Sequence, residues 1–514
     1  MPTLPRIPDL PDVPVRRAPT LLAASRGPRR RAYLFLGGEP ETAAAIALLG
    51  PAALTDWRRR SGQLPMERPA PLGVLTIVGG RPTTLHGARW TGLQGTFEAL
   101  RQAGELVRSA LALGPQEVVL WGSDDTARAA LWSAWVAAQY ELPELRSRAG
   151  APSPDRPLAV PVGLSLAAQR HGQAIERGAA FARWLTALPG NHLSPRVYRQ
   201  RVETLARRHG WRLEILDERA LRRAGAGAFL AVAQGNRAAD ACLIRVAYRP
   251  RPRGKRGAKS AAPVALVGKG VCFDTGGVNL KTHRGMLDMH MDMAGSAVTL
   301  GTLLALSELD HRQPVDAWLA LAENHLDAAA YKPQDVVRAS NGTTIQVIHT
   351  DAEGRMLLAD ALALASRSKP RLLVDFATLT GACISALTER YAGLFTNRLD
   401  LRQRLEAVGQ VSGERVWAFP LDPDFDTDLE SRVADIAQCP VEGKGDHIHA
   451  ARFLQRFVAP GLPWIHLDLA PAHRRGGLAH ITTDITGFGV RYAATLLQDH
   501  DLLRALDIAD PPSH

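Results

Sequence analysis

The sequence predicts an α/β protein of two domains, a smaller N-terminal α/β domain and a larger C-terminal one with a central mixed sheet flanked by helices. Three observations carry that expectation. At 514 residues, 46% of them hydrophobic, the chain is long enough for two or three separate cores. Apolar runs of strand length alternate with alanine-rich stretches of helical length in both halves. Between the halves, residues 165–187 read as one uninterrupted helix closed by the breaker Leu188-Pro189-Gly190.

Residues 1–31 read as a Pro/Arg-rich disordered arm, because prolines at 2, 5, 8, 11 and 14 recur every third position and Arg16, Arg17, Arg29, Arg30 and Arg31 add charge. The N-terminal domain spans residues 32–164, where the runs AYLFLG, GVLTIVGG and EVVLWG alternate with helical stretches at 94–113 and 125–140. No residue cluster there suggests chemistry. After the linking helix, 165–187, the C-terminal domain (188–514) offers strands at 264–274, 315–324, 344–351, 371–380 and 463–470, with helices near 290–310, 355–368 and 448–457. Ligands of open α/β sheets gather beyond the carboxyl ends of the strands, so the ends of these segments are where chemistry is expected.

Composition removes several alternatives. Cys242, Cys272, Cys383 and Cys439 are scattered with no CxxC pair, which argues against a disulfide framework and a thiolate zinc site. No run of about 18 uncharged apolar residues exists and the N-terminus lacks the order of a secretory signal, so a cytoplasmic location is expected. HExxH, GxSxG, Walker A and GxGxxG motifs are all missing. The net charge is +11, yet only seven of the 62 basic residues are lysines, and none occurs in the first 254 positions. A lysine can shed its proton and an arginine effectively cannot, so a lysine in an unusual setting is informative in this chain. The run RPRPRGKRGAK at 249–259 carries six basic residues and raises DNA as a partner; a solvated hairpin loop is the favoured reading, because no aromatic residues interleave the charges.

The strand ends hold a carboxylate-rich set in two blocks. In GKGVCFDTGGVNLK, Lys269, Asp274 and Lys281 surround the pair Gly276-Gly277; Asp292 follows in MLDMHMDMAG, and Asp351, Glu353 and Arg355 in HTDAEGRM. Four carboxylates converging on one site would raise one another's pKa unless strong positive charge compensated them, and two divalent cations would supply it. A neutral lysine can serve as a nitrogen ligand, which gives Lys269 a use that arginine could not fill. Lys281 suits a point charge near a reacting carbonyl, and Arg355 offers a planar fork for an anion.

VGKGVCFDTGG, Lys281, MDMAG, TDAEGR, DFATLTGA and HLDLA, in this order and spacing, resemble the leucyl aminopeptidase family, also called cytosol aminopeptidases or family M17 metallopeptidases. The resemblance covers roughly residues 176–500; the N-terminal portion is similar only in size and α/β character. It implies a metal-dependent hydrolase that removes N-terminal residues from peptides, preferring leucine-like or other apolar ones, through a water bridged by two divalent metals. Lys269, Asp274, Asp292, Asp351 and Glu353 would be the metal ligands, with manganese, zinc or magnesium as the ions. Lys281 would polarise the scissile carbonyl, and Arg355 would hold a bicarbonate acting as base. Met289, Thr378, Gly381 and Ala470 fall on the family's substrate pocket, with Leu379 offering a backbone carbonyl to the substrate amine. A homohexamer is implied, and DNA binding is known for some bacterial members. His349, Met356, His449 and Pro471 depart from residues common in the family, and bear on substrate preference and metal choice rather than on the reaction.

Overall fold

The computed structural model describes residues 13–18, 20–21, 30–61, 72–78, 81–147, 156–251 and 261–507. Strands β1 (Arg31–Gly37), β2 (Leu72–Val78), β3 (Arg81–Arg89), β4 (Glu117–Gly122) and β5 (Leu158–Pro161) form an N-terminal five-stranded sheet in the order β2-β3-β1-β4-β5. Every residue of β1 is buried, because both faces of the strand are covered. Ala32, Leu34 and Leu36 pack with the helices Gly95–Leu111 and Asp125–Ala137. Tyr33 and Phe35 pack on the other side with Ile46 and Trp57, from the helices Glu39–Ala47 and Pro51–Ser61.

The expected disordered arm is corrected in part. Val13, Ala18 and Leu21 are buried, Val15 makes a parallel bridge to Ala159 of β5, and Arg16 pairs with buried Glu117 at 2.5 Å. Residues 13–18 thus cover the open edge of β5, whose unpaired backbone groups are satisfied by a short extended segment. Residues 1–12 and 22–29 lie outside the described residues.

The linking helix α1 (Leu166–Thr186) matches the expected span, with Ser165 as its N-cap accepting from Ala168 N. Its Glu176 is fully buried and accepts from Arg491 Nη1 at 2.6 Å and His480 Nε2 at 3.0 Å, while the same Arg491 nitrogen reaches Ser133 Oγ in the N-terminal half at 3.2 Å. Burial alone would raise the Glu176 pKa, but His480 and Arg491 outweigh it and hold it down at about 2. Glu176→Gln is therefore expected to destabilise the protein by about 3–5 kcal/mol, since it removes the buried charge on which Arg491 and His480 converge. The folded pKa lies below the unfolded value of 4.5, so the stabilisation is complete above pH 4.5 and fades as pH falls toward 2. Urea unfolding at stepped pH should show the gap between wild type and E176Q narrowing by about 3 kcal/mol across that window.

The C-terminal half is built on an eight-stranded mixed sheet, the architecture expected. It comprises β6 (Arg212–Asp217), β7 (Cys242–Tyr248), β8 (Val264–Asp274), β9 (Val315–Asn324), β12 (Leu372–Ala377), β13 (Ala392–Thr396), β14 (Val416–Ala418) and β16 (Trp464–Asp468), in the order β14-β13-β16-β12-β8-β9-β7-β6. The four central strands β16, β12, β8 and β9 run parallel, so their carboxyl ends share one edge. A smaller sheet, β10 (Val336–Arg338), β11 (Thr344–Gln346) and β15 (Ile436–Ala437), stands beside it. Side chains alternate along the central strands. Leu266, Val374 and Ile465 pack toward α1 and α2 (Ala294–Glu308), and Ala265, Val267, Leu373 and Trp464 toward α3 (Glu353–Arg367) and α4 (Asp446–Gln455).

The segment expected as one strand at 344–351 is a strand only at Thr344–Gln346. The Ile348 and His349 N–H groups both donate to Gln438 Oε1 at 3.0 Å, so a side chain replaces the ladder and the chain turns there. Of the basic run, residues 252–260 lie outside the described residues, and Arg249 pairs with buried Asp316 at 2.5 Å. Among the described residues no helix is long and apolar enough to cross a membrane.

Candidate active site

The site lies beyond the carboxyl ends of the parallel strands. At the end of β8 the pairing with β9 slips between Val271 and Asp274, and Asp274 comes to stand opposite Asn324. Asn324 Nδ2 and Gly276 N both donate to Asp274 Oδ1 at 2.8 Å, which fixes that carboxylate and leaves Oδ2 facing the cavity side, 2.8 Å from Lys281 Nζ. Gly276 and Gly277 have φ of 86° and 64°, and a Cβ on Gly276 would stand 2.4 Å from Asn279 O and 3.0 Å from Asp351 Oδ1. The glycine pair thus lets the loop fold tightly enough to return Lys281, whose Nζ meets Asp274 and Asp351 together.

Lys269, on β8, is 4% exposed and bridges Asp292 Oδ1 and Glu353 Oε1, each at 2.8 Å, while donating to Thr378 O at 2.9 Å. Glu353 opens α3, where the positive end of the helix favours its charge. Asp292 sits just before α2 and also accepts from Thr378 Oγ1 at 2.7 Å; its Oδ2 is buried without a partner. Lys269, Asp274, Lys281, Asp292, Asp351 and Glu353 line one cavity of about 340 Å³. Met289, Thr378, Leu379, Gly381 and Ala470 line the same cavity, so every residue expected at the site is there except Arg355.

Electrostatically the arrangement is short of positive charge. Four carboxylates face two lysines, and the pKa values of Asp274, Asp292 and Asp351 are all raised, first by burial and then by neighbouring carboxylates: Glu353 acts on Asp274 and Asp292, and Asp274 on Asp292 and Asp351. Burial works against the charge on Lys269 and Lys281, but the surrounding carboxylates outweigh it and raise both. Oxygens of Asp274, Asp351 and Glu353 can all lie within 4.8 Å of one another, and the orphaned Asp292 oxygen is a further donor. An all-oxygen set of this kind fits hard or borderline divalent cations, and Lys269 would add a nitrogen ligand once a bound ion displaced its proton.

Arg355 is 2% exposed and lies behind the cavity wall, where Nη2 bonds both oxygens of Asp446 at 2.8 Å. The four departures lie off the wall too: Met356 is core, His449 is buried against Asp428 at 3.0 Å, Pro471 O accepts from Thr486, and exposed His349 accepts from Asp351 N through Nδ1. Asp468 was not singled out from the sequence, although HLDLA contains it. It accepts from Leu379 N at 3.0 Å and Thr380 Oγ1 at 2.7 Å, holding the loop that forms one wall.

Residues 180–494 match the model of the cytosol aminopeptidase family, catalytic domain. The probable cytosol aminopeptidase of Syntrophotalea carbinolica is 43% identical over 339 residues, 65% of this chain and 66% of that protein. That of Rhodopseudomonas palustris (strain BisA53) is 37% identical over 83% of this chain and 84% of its own. Among solved structures, the bottromycin maturation enzyme BotP in complex with Mn superposes with a TM-score of 0.77 at 31% identity, covering 93% of this chain and 99% of that one. A tomato leucine aminopeptidase variant gives 0.80 at 25% identity, covering 96% and 98%. The chain belongs to the cytosol aminopeptidase family and carries that hydrolase's catalytic domain.

Proposed function

We propose that the cavity is the active site of a dinuclear aminopeptidase that removes apolar N-terminal residues from peptides. The observation that carries the reading is the cluster of Asp274, Asp292, Asp351 and Glu353 around Lys269 and Lys281 in one cavity at the parallel strand ends. Lys269, Asp274, Asp292, Asp351 and Glu353 would hold two divalent ions, with manganese or zinc the first candidates. When bound, such a pair would acidify a water and draw electron density from the peptide carbonyl.

The remaining roles belong to the chain's own groups. Lys281 would donate to the oxygen that gains charge as the carbonyl is attacked, a stabilisation that grows toward the transition state. The Leu379 carbonyl would receive the substrate's α-ammonium, which restricts cleavage to the first residue. Met289, Thr378, Gly381 and Ala470, with Ile384 and Leu469 on the same wall, would form an apolar pocket for its side chain. A homohexamer belongs to the proposal and is checked by the mass in solution.

Hydrolysis of leucyl p-nitroanilide is expected to vanish after chelation, return with manganese, and exceed that of glutamyl p-nitroanilide. Turnover indifferent to chelation, or persisting unchanged in an Asp351→Asn, Glu353→Gln double variant, would reject the reading.

A further inference from the structure

The Arg355 guanidinium, expected from the sequence to hold an external anion, already has one. Asp446 presents both carboxylate oxygens at 2.8 Å, and the guanidinium also reaches Gln438 O at 3.4 Å. Asp446 is the first residue of α4, so its charge also lies at the positive end of that helix. Its side chain is 27% exposed against 2% for Arg355, so the pair is open to solvent from the Asp446 side alone. Gln438 continues the brace: Oε1 takes the Ile348 and His349 N–H groups, and Nε2 donates to Ala352 O at 2.9 Å. Between them Gln438 and Asp446 grip residues 348–355, the turn that presents Asp351 and Glu353.

We propose that Asp446 is the resident anion of the Arg355 fork, a positioning residue that takes the place of an external carbonate-type anion and fixes the turn bearing Asp351 and Glu353. The Nη2 end of the guanidinium and the N-terminus of α4 both attract a small anion, and a tethered carboxylate meets both without a binding equilibrium, with Nη1 on Gln438 O and Nε unpartnered among the described residues. The chain therefore has no call for bicarbonate at this position. Removing the Asp446 side chain would leave a hole of carboxylate shape, open to solvent and lined by two anion-seeking groups.

The test compares wild type, Asp446→Gly and Asp446→Asn, each metal-loaded, with sodium formate and sodium bicarbonate as probes and chloride as the ionic-strength control. The activity arm rests on the aminopeptidase reading; the melting arm does not, so the two can fail separately. Wild type is expected to show no gain in melting temperature or kcat with either anion. D446G is expected to melt lower, to lose about 30-fold or more in kcat, and to recover at least about tenfold with formate or bicarbonate alongside a rise in melting temperature. D446N, whose amide still fills the space, is expected to lose activity without recovery. A wild-type gain with bicarbonate overturns the proposal, because the fork would then be taking an external anion. A folded D446G whose melting ignores both probes overturns it equally. If D446G does not fold, the wild-type response decides alone: indifference upholds the proposal and a gain overturns it.

Discussion

Glu353→Gln is expected to lower kcat/KM for leucyl p-nitroanilide by about 10³-fold, equivalent to about 4 kcal/mol of transition-state stabilisation. Glu353 is 2% exposed, stands 2.8 Å from Lys269 Nζ, and shares with Asp274 and Asp351 a trio of carboxylate oxygens within 4.8 Å of one another. Glutamine keeps the shape but turns one acceptor into a donor and removes the charge that a divalent cation would meet. The metal-free variant should nevertheless melt no lower than metal-free wild type, since the Glu353 charge is among the causes that raise Asp274 and Asp292, and its loss relieves that crowding. Manganese should raise the melting temperature of wild type and do so in the variant only at higher concentration, each tenfold loss of affinity removing about 1.4 kcal/mol of stabilisation. Equal responses to manganese in the two proteins would show that this cluster is not the metal centre.

How much of this was legible in the sequence follows from how local each feature is. Lys269, Asp274 and Lys281 lie on one strand and the loop after it, and Asp351 and Glu353 on one turn, so short motifs and the scarcity of lysine were enough to find them. The parallel order of β16, β12, β8 and β9 then brings those ends together, which a pattern of strands and helices anticipates. The partner of Arg355 was not legible, because Asp446 is 91 residues away and nothing in TDAEGR says which anion the fork will meet. The same distance hid the end of β11. The apolar alternation of TIQVIHTD reads as strand, and only the Gln438 side chain, 90 residues on, turns Ile348 out of the ladder. Residues 13–18 of the arm were misread for a different reason. Proline at every third position does suit an extended segment, but extended chain is also what an open sheet edge takes up, and Val13 and Val15 supply the apolar contact.

Gly354→Ala is expected to cost about 10²-fold in kcat, although no charged or polar group is altered, because a shift of about 1 Å at a positioned group suffices for that loss. Gly354 follows Glu353 on α3 and lies against the Lys269 side chain. A Cβ there would stand 2.7 Å from Cε, 2.8 Å from Nζ and 2.9 Å from Cδ of Lys269, closer than nonbonded atoms approach. Lys269 cannot yield without loss, since its ammonium is tied to Asp292, Glu353 and the Thr378 carbonyl at once. The backbone imposes no penalty of its own: Gly354 is an ordinary helical position, where alanine is worth about 0.5–1 kcal/mol over glycine. That gain offsets part of the overpacking cost of about 1–3 kcal/mol, so the melting temperature should fall only slightly while activity collapses. A double-variant cycle isolates the contact. Lys269→Ala alone should abolish most activity, and adding Gly354→Ala to it should cost nothing more, because the methyl group then faces the space the lysine left. Additive losses would mean that Gly354 matters through something other than Lys269, and full activity in G354A would mean that the ammonium need not lie where the carboxylates hold it.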